Sequence, residues 1–293
     1  MQYIEVIFTT PKEKEYLVEL IPYELGPLGF ESFQETEDGL LAYVQRQLFD
    51  ADALAEAVKA LPDGDEIVYS VCDAEYKDWN EEWEREGFEP IVIDDMIIHD
   101  CVHPIDVAPY IYNIVIDARL AFGTGTHETT QMMLRNMRSV IETLLDDGVG
   151  ESEKTLRLLD CGCGTGILSI AASKMGATEV VGYDIDEWSV ENSNHNAQLN
   201  SIDGCKFFLG DASLLGTEIG GTFDVVVANI NRNILMHDVQ QFAGMMRKGS
   251  YLIVSGFYTE DSEAITASFA SQGLIPALPP LENHNWQSLV FTK

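Results

Sequence analysis

Positive charge is scarce in this 293-residue chain: 17 Lys and Arg stand against 49 Asp and Glu, a formal net charge of −32. Such a surface repels a phosphate backbone, so direct nucleic-acid binding is not expected, whereas a basic protein would be steered in. Cysteine is sparse as well. The five present are an odd number without framework spacing, which argues against a disulfide scaffold and fits a reducing compartment. Cys161 and Cys163 stand one residue apart, neither a C-x-x-C pair nor a zinc pair, and no metal site is expected. Long apolar runs are missing, and the opening MQYIEVIFTT has no basic n-region. The expectation is a cytoplasmic, monomeric protein without membrane contact.

What is present is an alternation of strands and helices, long enough for two domains. QYIEVIFTT reads as a strand, and Pro11 opens a helix to about Leu25 with Leu17, Leu20 and Ile21 on one face. GFESFQET and GLLAYVQR follow as strands joined across Glu37-Asp38-Gly39, a hairpin signal. A helix over Asp50–Leu61 and a strand EIVYSVCDA complete a βαββαβ order, that of an α+β ferredoxin-like domain. This block lacks a glycine loop and a nucleophile–base pair, so it reads as a docking module. It is also the more acidic part: residues 1–95 hold 25 acids and 6 bases. KDWNEEWERE at 77–86 reads as a polar connecting helix with Trp79 and Trp83 on one face. The domain limits expected are 1–76 for docking, 77–110 for a linker helix and connecting strands, and 111–293 for a catalytic domain.

The chemistry concentrates in LLDCGCGTGILSIAASKMGATEVVGYDID, Leu158–Asp186. An apolar strand runs into a turn with Gly162, Gly164 and Gly166, then an amphipathic helix, a second strand and Asp184. A third glycine of the dinucleotide fingerprint is lacking, because Ile167 stands there. Glycines keep the turn free of Cβ atoms where a ligand would lie on backbone, and Asp184 can accept hydrogen bonds from ribose hydroxyls. With Asp160 before the turn and Asp184 22 residues after Gly162, the segment resembles motif I of class I S-adenosylmethionine-dependent methyltransferases.

Beyond Asp186 helices are expected over Glu187–Leu199, Asn233–Met246 and Ser262–Ser271. KFFLGDAS reads as a strand ending at Asp211, FDVVVANI as one ending at Asn229, and a Gly249-Ser250 turn precedes YLIVSGF and a final SLVFTK. Continuous apolar strands between helices imply a mostly parallel sheet covered on both faces, with ligands at its carboxyl edge. Gly162, Asp184, Asp211 and Asn229 all fall at that edge.

Two further stretches are more specific: AFGTGTHETT at 121–130 and VANINRNIL at 227–235. With the ferredoxin-like block, the tryptophan-bearing linker and Trp286 near the end, they resemble the ribosomal protein L11 methyltransferase family (PrmA). The resemblance implies an α/β, Rossmann-like class I methyltransferase domain with a mostly parallel seven-stranded sheet. It implies transfer of methyl groups from S-adenosylmethionine to lysine side chains and the N-terminal amine of that basic ribosomal protein. It places Thr130, Gly162, Asp184 and Asn229 against the cofactor, with Gly164 and Gly166 in the same turn. Phe122, Gly123 and Thr124 would lie over the methionyl end, and Asp211 and Ala212 beside the adenine. Asn229 is the candidate catalytic residue, its amide carbonyl aiming the incoming amine. His127, in a first helical turn, reads as a structural hydrogen-bonder more than a base. Ala118-Arg119 and Glu84 depart from the family's usual Pro-Gly and lysine.

Overall fold

The computed structural model describes residues 3–11, 14, 16–36, 39–64, 67–73, 87–103, 105–117, 123, 125–148 and 155–293. The 77–86 helix with its two tryptophans, Glu37-Asp38, Ala118-Arg119, Phe122 and Thr124 lie outside these residues. The chain forms two compact units, Met1–Trp79 and Asn80–Lys293.

In the first unit β1 (Tyr3–Thr9), β2 (Phe30–Thr36), β3 (Gly39–Gln45) and β4 (Val68–Asp73) pair in the order β2-β3-β1-β4. Every pairing is antiparallel, as βαββαβ connectivity requires. Helices α1 (Tyr16–Leu25) and α2 (Ala51–Ala60) supply Leu17, Ile21, Leu25, Leu54 and Val58 to one core with Ile4, Val6, Phe8, Leu40, Ala42 and Val44. Asp50 caps α2, its carboxylate accepting from the N–H groups of Asp52 and Ala53. Helix α1 starts later than Pro11 suggests and carries Pro22 inside it.

The second unit is built on an eight-stranded sheet. Its strands are β8 (Arg157–Cys161), β9 (Glu179–Asp184), β10 (Cys205–Leu209), β11 (Phe223–Asn229), β12 (Met246–Tyr258), β13 (Ile275–Pro276), β14 (Leu281–Asn283) and β15 (Trp286–Thr292). The path β10-β9-β8-β11-β12-β15-β13 contains the expected seven strands, and β14 adds a hairpin on β15. The first five run parallel; β15 is antiparallel to β12. Strands β5 (Ile91–Ile93), β6 (Met96–His99) and β7 (Tyr112–Val115) form a separate three-stranded sheet.

Helices α3 (Glu128–Asp146), α4 (Ile167–Met175), α5 (Glu187–Leu199), α6 (Arg232–Gly244) and α7 (Ser262–Ala270) complete this unit. Neighbouring strand residues feed opposite cores. Leu158, Val180, Val225 and Val227 pack with Met133, Met137, Ile170 and Ala171 of α3 and α4. Leu159, Val181, Val226 and Ala228 pack with Leu235, Phe242, Ile265 and Phe269 of α6 and α7. Burial on both faces explains why these strands read as unbroken apolar runs.

Two boundaries differ from expectation. Strand β10 stops at Leu209, and Asp211 instead caps a short 3-10 turn, accepting from Ser213 N–H. No turn interrupts the sheet at Gly249-Ser250; β12 runs through them from Met246, so α6 ends at Gly244. Pairing overrides the local turn signal there: Gly249 N–H donates to Lys293 O, Lys293 N–H to Ser250 O, and Ser250 Oγ to Phe223 O.

Candidate active site at the carboxyl edge

Strand β8 ends in a turn that only glycine suits. Gly162, Gly164 and Gly166 have φ of 75°, 54° and 78°. A Cβ on Gly162 would stand 2.5 Å from Ile230 Cγ2, and one on Gly166 3.1 Å from Ser193 Oγ. The turn is bonded to the next strand: Gly162 and Cys163 N–H both donate to Tyr183 O. Gly164 N–H donates to Asp184 Oδ2 at 2.9 Å, and Asp186 N–H to Asp184 Oδ1 at 3.1 Å. Gly210 N–H donates to Asp184 O, which brings the end of β10, and with it Asp211, beside Asp184.

Beneath the turn Asp160 is almost wholly buried. Its Oδ2 accepts from Ser169 N–H and Oγ, while Oδ1 is buried without a hydrogen-bond partner among the described residues. Burial pushes its pKa up to about 7, the Ser169 bonds working against the shift and the charge of Asp184 adding to it. Burial also drives the thiols of Cys161 and Cys163 upward, so neither is a nucleophile at neutral pH. By contrast Asp211, held by Ser213 Oγ and N–H, is lowered and stays ionised.

The segment ahead of α3 reaches the same edge. Gly123 O accepts from Thr165 Oγ1 at 2.6 Å, tying the FGTGT loop to the glycine turn. Gly125 has a φ of 92° and closes on Ile98 and Ile167. His127 is the N-cap of α3: its Nδ1 accepts from Thr129 N–H at 3.2 Å, so the proton belongs on Nε2. One turn on, Thr130 is buried and its Oγ1 receives Asn229 Nδ2 at 3.3 Å. Asn229 thus links the end of β11 to the first turn of α3. Ala212 is buried next to Asp211.

Several supporting residues carry a signal of their own in the sequence. Asn192, Asn196 and Asn200 recur every fourth residue along α5, a polar stripe that ought to face water. Asn196 is instead fully buried. Its Nδ2 donates to Thr165 O and Asp117 O while Oδ1 accepts from Asp117 N–H, so it clasps the approach to the loop onto the turn. Ser193 Oγ donates to Gly164 O at 2.8 Å. Buried polar residues at helical spacing are the feature that would have found them.

A mostly parallel sheet in this strand order, with a glycine turn after its central strand, an acid closing the next and a polar residue ending the fourth, defines a class I S-adenosylmethionine-dependent methyltransferase. The family model for ribosomal protein L11 methyltransferase (PrmA) matches residues 13–293. This chain belongs to that family. The ribosomal protein L11 methyltransferase of Bacteroides thetaiotaomicron is 43% identical over 294 residues, covering 100% of both chains. That of Porphyromonas gingivalis is 38% identical, over 100% of this chain and 98% of its own. Among solved structures, the ribosomal protein L11 methylase of Lactobacillus delbrueckii subsp. bulgaricus superposes with a TM-score of 0.58 at 27% identity. The match covers 70% of this chain and 99% of that one.

Proposed function

We propose that this protein methylates ribosomal protein L11 at lysine side chains and at the N-terminal amine, with S-adenosylmethionine as donor. The 43% identity to the Bacteroides thetaiotaomicron ribosomal protein L11 methyltransferase over the whole of both chains is the observation that supports ribosomal protein L11 as acceptor. The acidity supports it too, since 25 acids against 6 bases in residues 1–95 attract a basic partner.

The residues present suit this donor. It bears no phosphate and asks for backbone without side chains, which the glycine cradle of Gly162, Gly164 and Gly166, all at positive φ, offers. Its ribose asks for a carboxylate, and Asp184 closes β9 beside that cradle. Its cationic groups suit the orphaned Oδ1 of Asp160. Gly162, Gly164, Gly166, Asp184 and Thr130 would hold the donor, with Asp211 and Ala212 beside the adenine and Gly123, flanked by Phe122 and Thr124, over the methionyl end. When bound, S-adenosylmethionine supplies a methyl carbon already activated by its sulfonium.

What remains for the chain is positioning and exclusion of water. An acceptor lysine, with an ordinary pKa of about 10.4, must lose a proton before its lone pair can attack. Burial at the sheet edge favours that neutral form. Because Asn229 Nδ2 is directed at Thr130, the amide oxygen is the end left to accept an N–H from the amine and aim its lone pair. With the donor held there, the amine nitrogen would take the methyl carbon as the sulfonium becomes a neutral thioether, and the proton given up by the lysine would pass to water.

Transfer of radiolabelled methyl groups onto ribosomal proteins from cells lacking this enzyme tests the reading. Label is expected in ribosomal protein L11, at lysines and at the N-terminus by peptide mapping. Label on a different protein, or none, would overturn the acceptor assignment. Asn229→Ala should lower turnover at saturating donor; unchanged turnover would remove Asn229 from the chemistry.

A further inference from the structure

The acceptor must reach Asn229 from somewhere, and three rings stand on the way. Trp286 opens β15 and pairs with Tyr258 at the end of β12. Their rings lie 4.3 Å apart between centroids, tilted by 30°. His127 meets the same indole at 4.9 Å and 73°, an edge contact. The three come from positions far apart in the chain and form one cluster.

That cluster adjoins the site by covalent and packing links. His127 caps the helix whose Thr130 receives Asn229. On the other side Asn229 pairs in register with Ser255, three residues before Tyr258. Between them Gly256, at a φ of 96°, is packed so close to Ile230 that a Cβ would stand 2.3 Å from Ile230 O. The residue after Asn229 and the residue two before Tyr258 are therefore in backbone contact.

Ordinary core packing does not account for the rings. Tyr258 is 47% exposed, and the His127 side chain is 51% exposed. Exposed aromatic surface at a ligand edge calls for an apolar occupant. The carboxylates at the rim are already paired: Glu128 with His284 at 3.0 Å, and Asp261, which accepts from Tyr258 N–H, with Arg232 at 2.8 Å. What the rings themselves offer is an apolar wall with π faces, which suits a side chain that is a hydrocarbon stem ending in a cation, and a lysine is that side chain.

We propose that His127, Tyr258 and Trp286 form the wall along which the acceptor's aliphatic amine stem reaches Asn229. The proposal rests on the amine-methylation reading and names how the same site recognises its substrate. The rings pack the methylenes and attract the ammonium during approach, and His127 is held in place by the bond its Nδ1 accepts from Thr129 N–H. These are positioning residues; Asn229 meets the reacting nitrogen.

Two measurements test this on the full-length enzyme. In the first, Trp286→Ala, Tyr258→Ala and Trp286→Phe are compared in steady-state methylation of ribosomal protein L11. Calorimetric S-adenosylmethionine affinity and melting temperature serve as controls. The alanine variants should lose about tenfold in kcat/KM with donor affinity unchanged, and Trp286→Phe should stay within about threefold of the parent. Unchanged kcat/KM in both alanine variants overturns the wall. So does a loss matched by an equal loss of donor affinity, which would assign the rings to the donor. Tyr258→Ala, at an exposed position, keeps the test open if Trp286→Ala fails to fold. In the second, N-acetyl-lysine methylamide is titrated into the nitrogen-labelled enzyme without donor. The indole resonance absent from Trp286→Phe should shift, and an unmoved resonance overturns the wall whatever protein is the acceptor. Failure of ribosomal protein L11 to accept methyl groups from the parent enzyme, with that shift intact, refutes only the acceptor assignment.

Discussion

The main sheets of the two units solve the same problem in opposite ways. In the first unit β1 alternates: Ile4, Val6 and Phe8 are buried, while Ile7 is 37% exposed between them. Strand β4 leaves Val68, on the same face as Ile7, exposed as well. One face meets α1 and α2 and the other is open, the usual economy of an antiparallel sheet. In the second unit Leu158 and Leu159 are neighbours in sequence, both fully buried, and belong to different cores. A sheet with no open face can receive a ligand only at its edge. The contrast teaches what each sheet leaves free: the closed sheet only the loops at its strand ends, the open sheet one face that carries Glu5, Ile7, Tyr43 and Val68.

Breaking the closed edge has the largest expected effect. Gly162→Val places a branched side chain into Ile230 at a φ of 75°. S-adenosylmethionine affinity by calorimetry should fall at least about 100-fold, while circular dichroism shows a folded protein. Retained affinity would mean that the turn does not cradle the donor.

Next come paired alanine substitutions read by chemical denaturation. Leu158→Ala and Leu159→Ala should each cost about 2 to 5 kcal/mol, because consecutive residues fill separate cores. In β1, Phe8→Ala should cost about 3 to 5 kcal/mol and Ile7→Ala about 0.5 kcal/mol or less. Equal costs at Ile7 and Phe8 would contradict the open face.

A third effect depends on pH. Asp160 has a folded pKa raised to about 7 by burial, above its ordinary value of 3.8. Between those values the folded state binds the proton more tightly than the unfolded state. Stability contributed by this group is therefore greatest at low pH and is lost as pH rises toward 7. Asp160→Asn keeps an acceptor for Ser169 and abolishes that loss. Its stability relative to the parent should climb between pH 4 and 7 by a few kcal/mol, on the order of one pKa unit per 1.4 kcal/mol, and level off above. A pH-independent difference would show that the carboxyl is ionised throughout.

The smallest effect sharpens the ligand assignment. Asp184→Asn keeps an acceptor but removes charge, and donor affinity should fall about tenfold with little change in melting temperature. If stability falls as well, the bond to Gly164 N–H is what the carboxylate mainly supplies.

Much of this architecture was legible because strong local rules agreed. Apolar runs without alternation announced a doubly covered sheet, and three glycines at positive φ announced the turn after β8. Asp184, Asp211 and Asn229 could be placed at one edge because strand ends in a parallel sheet face the same way. Illegible parts depended on partners distant in the chain. The Gly249-Ser250 signal is a real local preference, yet Lys293 and Phe223 supply hydrogen bonds that hold those residues in β12. Asn192, Asn196 and Asn200 find their partners far away in the chain, Asp117 O for Asn192, Thr165 O for Asn196 and Val115 O for Asn200.

By itself, the sequence determined which backbone positions could approach a ligand, because a missing Cβ and a strand-end acid are local properties. It also set the sign of the field, since 49 acids against 17 bases repel a polyanion and attract a basic partner whatever the fold. Only the tertiary structure decided what surrounds the amine. His127, Tyr258 and Trp286 become one wall through β12–β15 pairing and the docking of α3, and contacts between segments this distant form only when the sheet closes over its core.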